Sequence, residues 1–371
     1  MATIVSIASY PFLPAKVGGQ KNVALFYKYF CRYQHLICIS TKKNDTSAAE
    51  GYQVLNILSN SKLRYINIFY FFLIKKIIKE NKATHLMIEH PYYGWLAVLV
   101  KKFCRVKLII HSHNIEGMRW KALGKWWWKI LWRYEKFTHQ YADYNLFISG
   151  EDKRYAIENF GIKESSCITM TYGIEWETVP PKNEILRCSE LIREKYKINN
   201  DEIILLFNGA FNYGPNLDGL KKITDIINPK LQLKKDFRYK IIICGKDIPV
   251  DISSKQYPNI IFAGFVDDVT IYLKAADIFL NPISEGGGIK TKLVEALGNN
   301  LNAVSTSNGA IGIHPDYCNG KLFISNDNDW EQFANLVIEA SNYKADMPSI
   351  YFDNFYWGFT TKKAAAFIKQ G

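Results

Sequence analysis

The sequence lacks the paired cysteines of a disulfide-stapled or zinc-bound fold. Its seven cysteines, Cys31, Cys38, Cys104, Cys167, Cys188, Cys244 and Cys318, are scattered, with no CxxC pair and no histidine at zinc-ligand spacing. Free thiols of this kind point to a reducing compartment. No run of about 18 uninterrupted apolar residues occurs, which excludes a bilayer-spanning helix. The opening stretch MATIVSIASYPF lacks the basic region and small-residue cleavage site of a signal peptide. It reads as a first buried strand, and the expectation is a cytoplasmic protein. Internal repeats of solenoid period and low-complexity segments are also missing.

Aromatic residues are plentiful: 9 Trp, 23 Tyr and 22 Phe among 371 residues. With 48% hydrophobic and 22% charged residues the composition is globular. The length exceeds what one hydrophobic core usually serves, so two domains are expected. Charge supports that division. Residues 1–180 hold 25 Lys+Arg against 13 Asp+Glu, whereas residues 181–371 hold 22 against 22, so the whole net charge of +12 lies in the first half. Anionic lipid, a phosphorylated acceptor and nucleic acid are the candidate partners of a basic half. Nucleic acid fits poorly, because the aromatics cluster with aliphatics and no recognition motif is present.

In the first half, TIVSIAS, HLICIS, THLMIEH, VKLIIHSH and YNLFIS are strand-like, with helical patterns near 19–31, 66–81, 92–103, 124–141 and 150–160 between them. The second half repeats the scheme with EIILLFNGA, YKIIICG, NIIFAG, DIFLNPI and LNAVSTS. Such alternation predicts an α/β protein of two Rossmann-like, doubly wound parallel-sheet domains facing across a cleft. The stretch ETVPPKNE, with adjacent prolines, marks the linker. Residues 1–180 are assigned to an N-terminal acceptor-side domain and 181–354 to a C-terminal donor-binding domain. A last helix at about 355–371 is expected to pack back on the first.

SEGGGIKTKLVEAL (284–297) is the stretch richest in chemistry. It follows a strand and runs from a glycine loop, Gly286, Gly287 and Gly288, into helical spacing from Ile289 onward. Backbone N–H groups at such a helix start approach an anion closely and the helix dipole adds its positive end. Lys290 and Lys292 supply full charge, and Glu295 is placed to accept hydrogen bonds from the hydroxyls of a ribose. Gly18 and Gly19 open a helix after the first strand, and His111 and His113 end KLIIHSH, where α/β sites gather. Glu89, in IEHPYYGW, is a candidate general base. DND at 327–329 has the form of a metal-binding acidic motif, but it precedes an apolar periodic run and reads as a helix cap, as does Asp267-Asp268.

FLNPISEGGGIKTKLVEALGNNLNAVSTSNGAIGI resembles the donor-site segment of the family 4 glycosyltransferases, which have the GT-B fold. FNGAFNYGPNLDGLKKI (207–223) is similar to the first strand, loop and helix of that family's second domain, in the branch carrying a PN dipeptide. SYPFLPAKVGGQKNVALF, VKLIIHSHNIEGMRW and ADYNLFISGEDKRY resemble its N-terminal segments. The resemblance implies an enzyme that moves a sugar from a nucleoside-diphosphate sugar to a saccharide or lipid-linked acceptor. Retention at the anomeric carbon, no cofactor, no metal and a role in cell-surface polysaccharide synthesis are implied with it. It places the donor on Gly18, Gly19, Gly209, Lys246, Gly286, Gly287, Gly288, Ile289, Lys292, Glu295 and Gly309, and catalysis on His113, Glu285 and Lys290. His111, Asn114, Glu116 and Arg119 fall on the acceptor side. The chain departs from the family pattern in two places. The first of its two glutamates would fall on Gly287, with Glu285 two positions early, and the Arg and Lys of the usual phosphate clamp are missing from FNGAFNYG, leaving Lys290, Lys292 and Lys246 as substitutes. A nucleotide-sugar epimerase of the same fold and a catalytically silent partner protein are the alternative readings.

GKWWWKILWRYEKFTHQY (124–141) and RYINIFYFFLIKKIIKE (64–80) combine aromatic faces with basic edges. This is the composition of helices that lie on anionic membrane, and the expected location is the inner face of the cell membrane.

Overall fold

The computed structural model describes residues 1–16, 18–253 and 257–369. Two units divide the chain, Met1–Glu175 with Asn354–Gly371, and Trp176–Asp353. In the first, seven strands form one parallel sheet: β1 (Thr3–Ile7), β2 (His35–Thr41), β3 (Gln53–Leu58), β4 (His85–Glu89), β5 (Lys107–Ser112), β6 (Tyr144–Phe147) and β7 (Cys167–Thr169). Their order is β3-β2-β1-β4-β5-β6-β7. The second unit has six: β8 (Ile203–Ala210), β9 (Tyr239–Lys246), β10 (Ile260–Gly264), β11 (Ile278–Asn281), β12 (Asn302–Thr306) and β13 (Leu322–Ser325), in the order β10-β9-β8-β11-β12-β13. Every pairing is parallel. Both sheets are doubly wound. The direction of winding reverses beside the first strand of each, between β1 and β4 and between β8 and β11, which is where sheets of this type bind ligands.

Strands buried on both faces explain the near-continuous apolar runs in the sequence. Val5, Ile7, Leu86, Ile88, Leu108 and Ile110 pack with Ile74, Ile77, Leu96 and Val100 in the first unit. In the second, Leu205, Phe207, Ile241, Ile243, Leu280 and Val304 pack with Leu220, Phe333 and Val337. The first unit's helices are α1 (Gly18–Phe30), α2 (Phe69–Glu80), α3 (Gly94–Cys104), α4 (Glu116–Ala122), α5 (Trp128–Tyr141) and α6 (Gly150–Phe160). Right-handed crossovers place α2, α3 and α5 on one side of the sheet and α1 on the other. There α1 packs against the C-terminal helix Trp357–Phe367. The last two residues expected in that helix, 370 and 371, lie outside the described residues.

Several elements differ from the sequence expectation. The edge strand β3 is interrupted by Gln53 and Asn56 and half exposed, so it carries little apolar signal. β13 pairs with β12, so LNAVSTS is followed by a further strand and does not end the sheet. α4 was not expected, because the carboxylate that caps its first amides comes from Glu135 on α5: its oxygens accept from the N–H groups of Glu116 and Gly117 at 2.8 Å each. α5 starts at Trp128 and not at 124, because Gly124 turns at φ +67°. The helix after the glycine loop spans Thr291–Gly298, two residues later than expected.

Trp357 anchors the returning C-terminal segment. Its backbone bridges to Ile174, whose carbonyl accepts from the Trp357 N–H at 3.0 Å, and its ring, fully buried, meets Tyr172 edge-on at 5.8 Å and Phe26 at 6.4 Å. Trp357→Ala is expected to cost the first unit about 3–5 kcal/mol. Urea unfolding monitored by circular dichroism measures the loss.

Candidate functional site

The reversal point of the second sheet lies between β8 and β11, and the glycine loop leaves β11. Lys292, on the helix that follows, reaches back across this point: its Nζ donates to Asn208 O on β8 at 2.7 Å and to Asn216 Oδ1 at 2.9 Å. Gly209 makes room for that ammonium, since a Cβ there would lie 2.9 Å from Nζ. Lys290 Nζ donates to the carbonyls of Gly286 at 2.9 Å and Gly288 at 2.8 Å. Asn308 Nδ2 donates to Gly286 O at 3.2 Å, so the loop is held from two sides. Gly286 and Gly288 take φ values of +92° and +74°, which favour glycine.

Both ammoniums are thus satisfied only by neutral oxygens. Among the described residues neither pairs with a carboxylate. Burial pushes each down from the ordinary lysine value to about 8, opposed by the more distant charges of Asp327 for Lys290 and Glu295 for Lys292. Glu295 is half-buried on the same helix, one turn beyond Lys292. Ile289 turns inward and packs on Gly312, whereas Glu285 and Gly287 are exposed. Gly309, expected at the donor, has its backbone engaged by its neighbours. Its N–H donates to Thr306 Oγ1 at 3.0 Å, its carbonyl accepts from Asn281 Nδ2 at 3.1 Å, and a Cβ would come within 2.6 Å of Asn281 and Ser305. The backbone there is committed to packing. Lys246, at the end of β9, lies 4.4 Å from the Phe265 ring and lines an open depression of about 510 Å³ with Gly245, Asp247, Ile248 and Gly264.

The reversal point of the first sheet carries a buried network. Glu89 ends β4, and its Oε2 receives His113 Nε2 at 2.7 Å and His111 Nδ1 at 2.9 Å. Asn22 Nδ2, on α1, lies 3.3 Å from His113 Nδ1. An amide nitrogen donates only, so Nδ1 accepts and Nε2–H donates to the carboxylate. Burial, with His90 beside it, brings His113 down to about 3, so it is neutral around pH 7. Burial works against ionisation of Glu89, yet the two imidazoles outweigh it and hold the carboxyl well below its ordinary value. A carboxylate so reluctant to take a proton is a poor general base. It is a positioning group.

Glu116 continues the network: Tyr92 donates to its Oε2 at 2.7 Å, Arg119 at 3.2 Å, and His90 Nδ1 lies 3.1 Å from Oε1. Burial would raise it, but His90, Tyr92 and Arg119 bring it down to about 2. His111 and Glu116 are therefore interior groups with partners of their own. Of the four acceptor-side candidates, Arg119 is exposed and Asn114 half-buried. Gly18 and Gly19 start α1, and a Cβ at Gly19 would meet nothing within 4 Å. The donor atoms of Glu89, His111 and His113 lie within 4.8 Å of one another, a set that could hold a metal ion. His113, however, commits its Nε2 to the carboxylate, and His111 packs on the Phe26 ring at 4.3 Å. Sequence reasoning missed Asn22, His90, Tyr92 and Glu135. Of these only His90, beside Glu89 at a strand end, carried a readable signal.

Two doubly wound sheets, the second with half-buried lysines at its reversal point that pair with no carboxylate among the described residues, place the chain in the α/β class. Residues 19–175 match the family model described as Glycosyltransferase Family 4, and residues 202–342 match that described as Glycosyl transferases group 1. The chain belongs to this family of glycosyltransferases. It is 25% identical over 301 residues to the chitobiosyldiphosphodolichol beta-mannosyltransferase of Candida albicans, covering 72% of this chain and 63% of that protein. It is 28% identical over 238 residues to the O-antigen biosynthesis glycosyltransferase WbnH of Escherichia coli, covering 63% and 61%. The chain thus spans less than two thirds of these curated relatives. The crystal structure of Anabaena Alr3699/HepE in complex with UDP-glucose superposes with a TM-score of 0.69 at 13% identity, covering all of both chains, and shows the shared GT-B fold.

His113 allows a direct check of the buried network. A histidine held neutral in the fold but charged when unfolded contributes stability that is lost as pH falls from about 6.5 toward its folded value. Relative to His113→Gln, the wild-type chain is expected to lose up to roughly 1.4 kcal/mol per pH unit between pH 6.5 and 4. Urea unfolding of both proteins at several pH values measures the difference.

Proposed function

We propose that the chain transfers a glycosyl group from a nucleoside-diphosphate sugar to a saccharide or lipid-linked acceptor, with retention at the anomeric carbon and without a bound metal or other cofactor, in cell-surface glycan assembly on the cytoplasmic side of the membrane. The observation that carries this reading is the pair of half-buried ammoniums, Lys290 and Lys292, which hydrogen-bond to neutral oxygens and form no salt bridge among the described residues. Burying charge without a counter-ion is costly, and an entering diphosphate removes that cost. The leaving diphosphate gains negative charge as the glycosidic bond breaks. Preorganised cations at that point stabilise the transition state more than the ground state. Because the lysines can supply this charge, the reaction needs no divalent ion.

Glu295 is the proposed ribose acceptor. The exposed Phe265 ring beside Lys246 is the proposed platform for the base, since aromatic faces stack on bases of any kind. Unit 1, with Arg119 exposed and Asn114 half-buried, is the proposed acceptor side. The curated relatives named for mannosyl transfer to a dolichol-linked chitobiose and for O-antigen synthesis support the acceptor class, and the UDP-glucose complex supports the donor class.

Isothermal titration with nucleoside diphosphates, and a mass-detected screen of nucleotide-sugars with and without chelator, test the reading. Lys292→Met is expected to weaken diphosphate binding by about tenfold or more, with nucleoside binding unchanged. EDTA is expected to leave turnover intact. An anion raises the pKa of each lysine it meets, so diphosphate affinity should fall as pH rises past about 8, by up to tenfold per unit for each lysine. Absence of diphosphate binding, or affinity indifferent to Lys290 and Lys292, refutes the proposal.

A further inference from the structure

The outer face of α2, α3 and α5 exposes apolar side chains that the core does not use. On α2, Tyr70, Ile74, Ile77 and Ile78 face the sheet, while Phe69 and Phe72 are 74% and 63% exposed, followed on the same side by Lys75, Lys76 and Lys79. The Phe71 ring touches Phe72 at 5.4 Å and Phe103 of α3 at 5.7 Å, joining the two helices, and α3 packs in turn on α5. Along α5 and the turn before it, Trp126, Ile130, Arg133 and Phe137 recur at helical spacing on the exposed side, and Trp126 is 83% exposed. Lys125 and Lys129 flank them.

Charge on this stretch is one-sided. Residues 62–141 hold 16 Lys+Arg against four acids, Glu80, Glu89, Glu116 and Glu135. The last three are buried, which leaves Glu80 alone to face solvent. Exposed rings interleaved with lysines fit a surface that is anionic at its boundary and apolar just beneath. The rings would enter below the headgroups while the lysine stems reach up to the phosphates. A second copy of the chain offers the same positive face and would be repelled, and a nucleic acid would leave the aliphatic side chains unburied.

We propose that the α2/α3/α5 face of the first unit docks on an anionic lipid bilayer, with Phe69, Phe72, Trp126 and Ile130 inserted and Lys75, Lys76, Lys79, Lys129 and Arg133 at the headgroup phosphates. No helix among the described residues is long and apolar enough to cross a membrane, so the contact is peripheral. It stands apart from the proposed reaction, and its test requires neither donor nor acceptor.

Flotation of the full chain is measured with vesicles of phosphatidylcholine alone and with vesicles containing about 30% phosphatidylglycerol, at low and physiological salt. The wild-type chain should float with the anionic vesicles and stay behind with the neutral ones. The double variants Phe69→Ser with Phe72→Ser, and Trp126→Ser with Ile130→Ser, and the charge reversal of Lys75, Lys76 and Lys79 to Glu, should each reduce partitioning by about tenfold. All these side chains are exposed, so circular dichroism should be unchanged. Failure of the wild-type chain to float with anionic vesicles overturns the proposal. So does flotation insensitive to the apolar variants, which would leave charge alone as the cause. Displacement of the vesicles by a duplex oligonucleotide whose binding depends on the same residues would reassign the face to nucleic acid.

Discussion

A half-buried lysine ammonium held by carbonyl oxygens is the constraint around which the second unit's glycine loop is organised. Lys292 ties the helix after β11 to Asn208 on β8 and to Asn216, spanning the reversal point of the sheet, and Lys290 ties the glycine loop to itself. Carbonyl dipoles are enough to hold a cation in place without neutralising it. The loop therefore stays shaped while its charge remains available, which is the condition for a preorganised anion site. Gly209 and Gly309 belong to the same construction: one leaves space for the ammonium, the other lets β12, Asn281 and the following turn close tightly.

The first unit solves a different problem at the same topological position. There the buried charge is negative, and the imidazoles of His113 and His111 lie against it. Glu89 holds His113 and His111, Asn22 fixes the tautomer of His113, and the chain of contacts continues through His90 to Glu116, Tyr92 and Arg119. The result is a rigid polar floor. Its margin, half-buried Asn114 and exposed Arg119, adjoins α4, whose first amides are capped by Glu135, a carboxylate nineteen positions from the amide it caps.

Much of the architecture was legible before any coordinates. Fully buried parallel strands must be apolar throughout, so ten of the thirteen stand out as runs such as KLIIHSH and YKIIICG with helical spacing between them, and the glycine-lysine stretch after DIFLNPI stands out by its charge. The elements that stayed hidden share a cause. β3, β7 and β13 are short or half exposed at sheet edges, and α4 is capped from another helix, so none of them leaves a local pattern. The same holds for the candidate site: Lys290, Lys292 and Glu295 stand out by charge beside glycine, while Asn22, Tyr92 and Glu135 look like ordinary helix and loop residues.

By itself the sequence determined the α/β class, the doubling of the sheet unit, the uneven distribution of charge and the lysine-glycine stretch, because hydrophobic period, composition and loop chemistry are local quantities. Only the tertiary structure decided that Glu89 holds His113, that the Gly309 backbone ties to Thr306 and Asn281, and that Lys292 crosses from one strand's loop to another strand's end. Those roles depend on which groups meet after the strands have been placed out of chain order, and separation along the chain carries no record of that meeting.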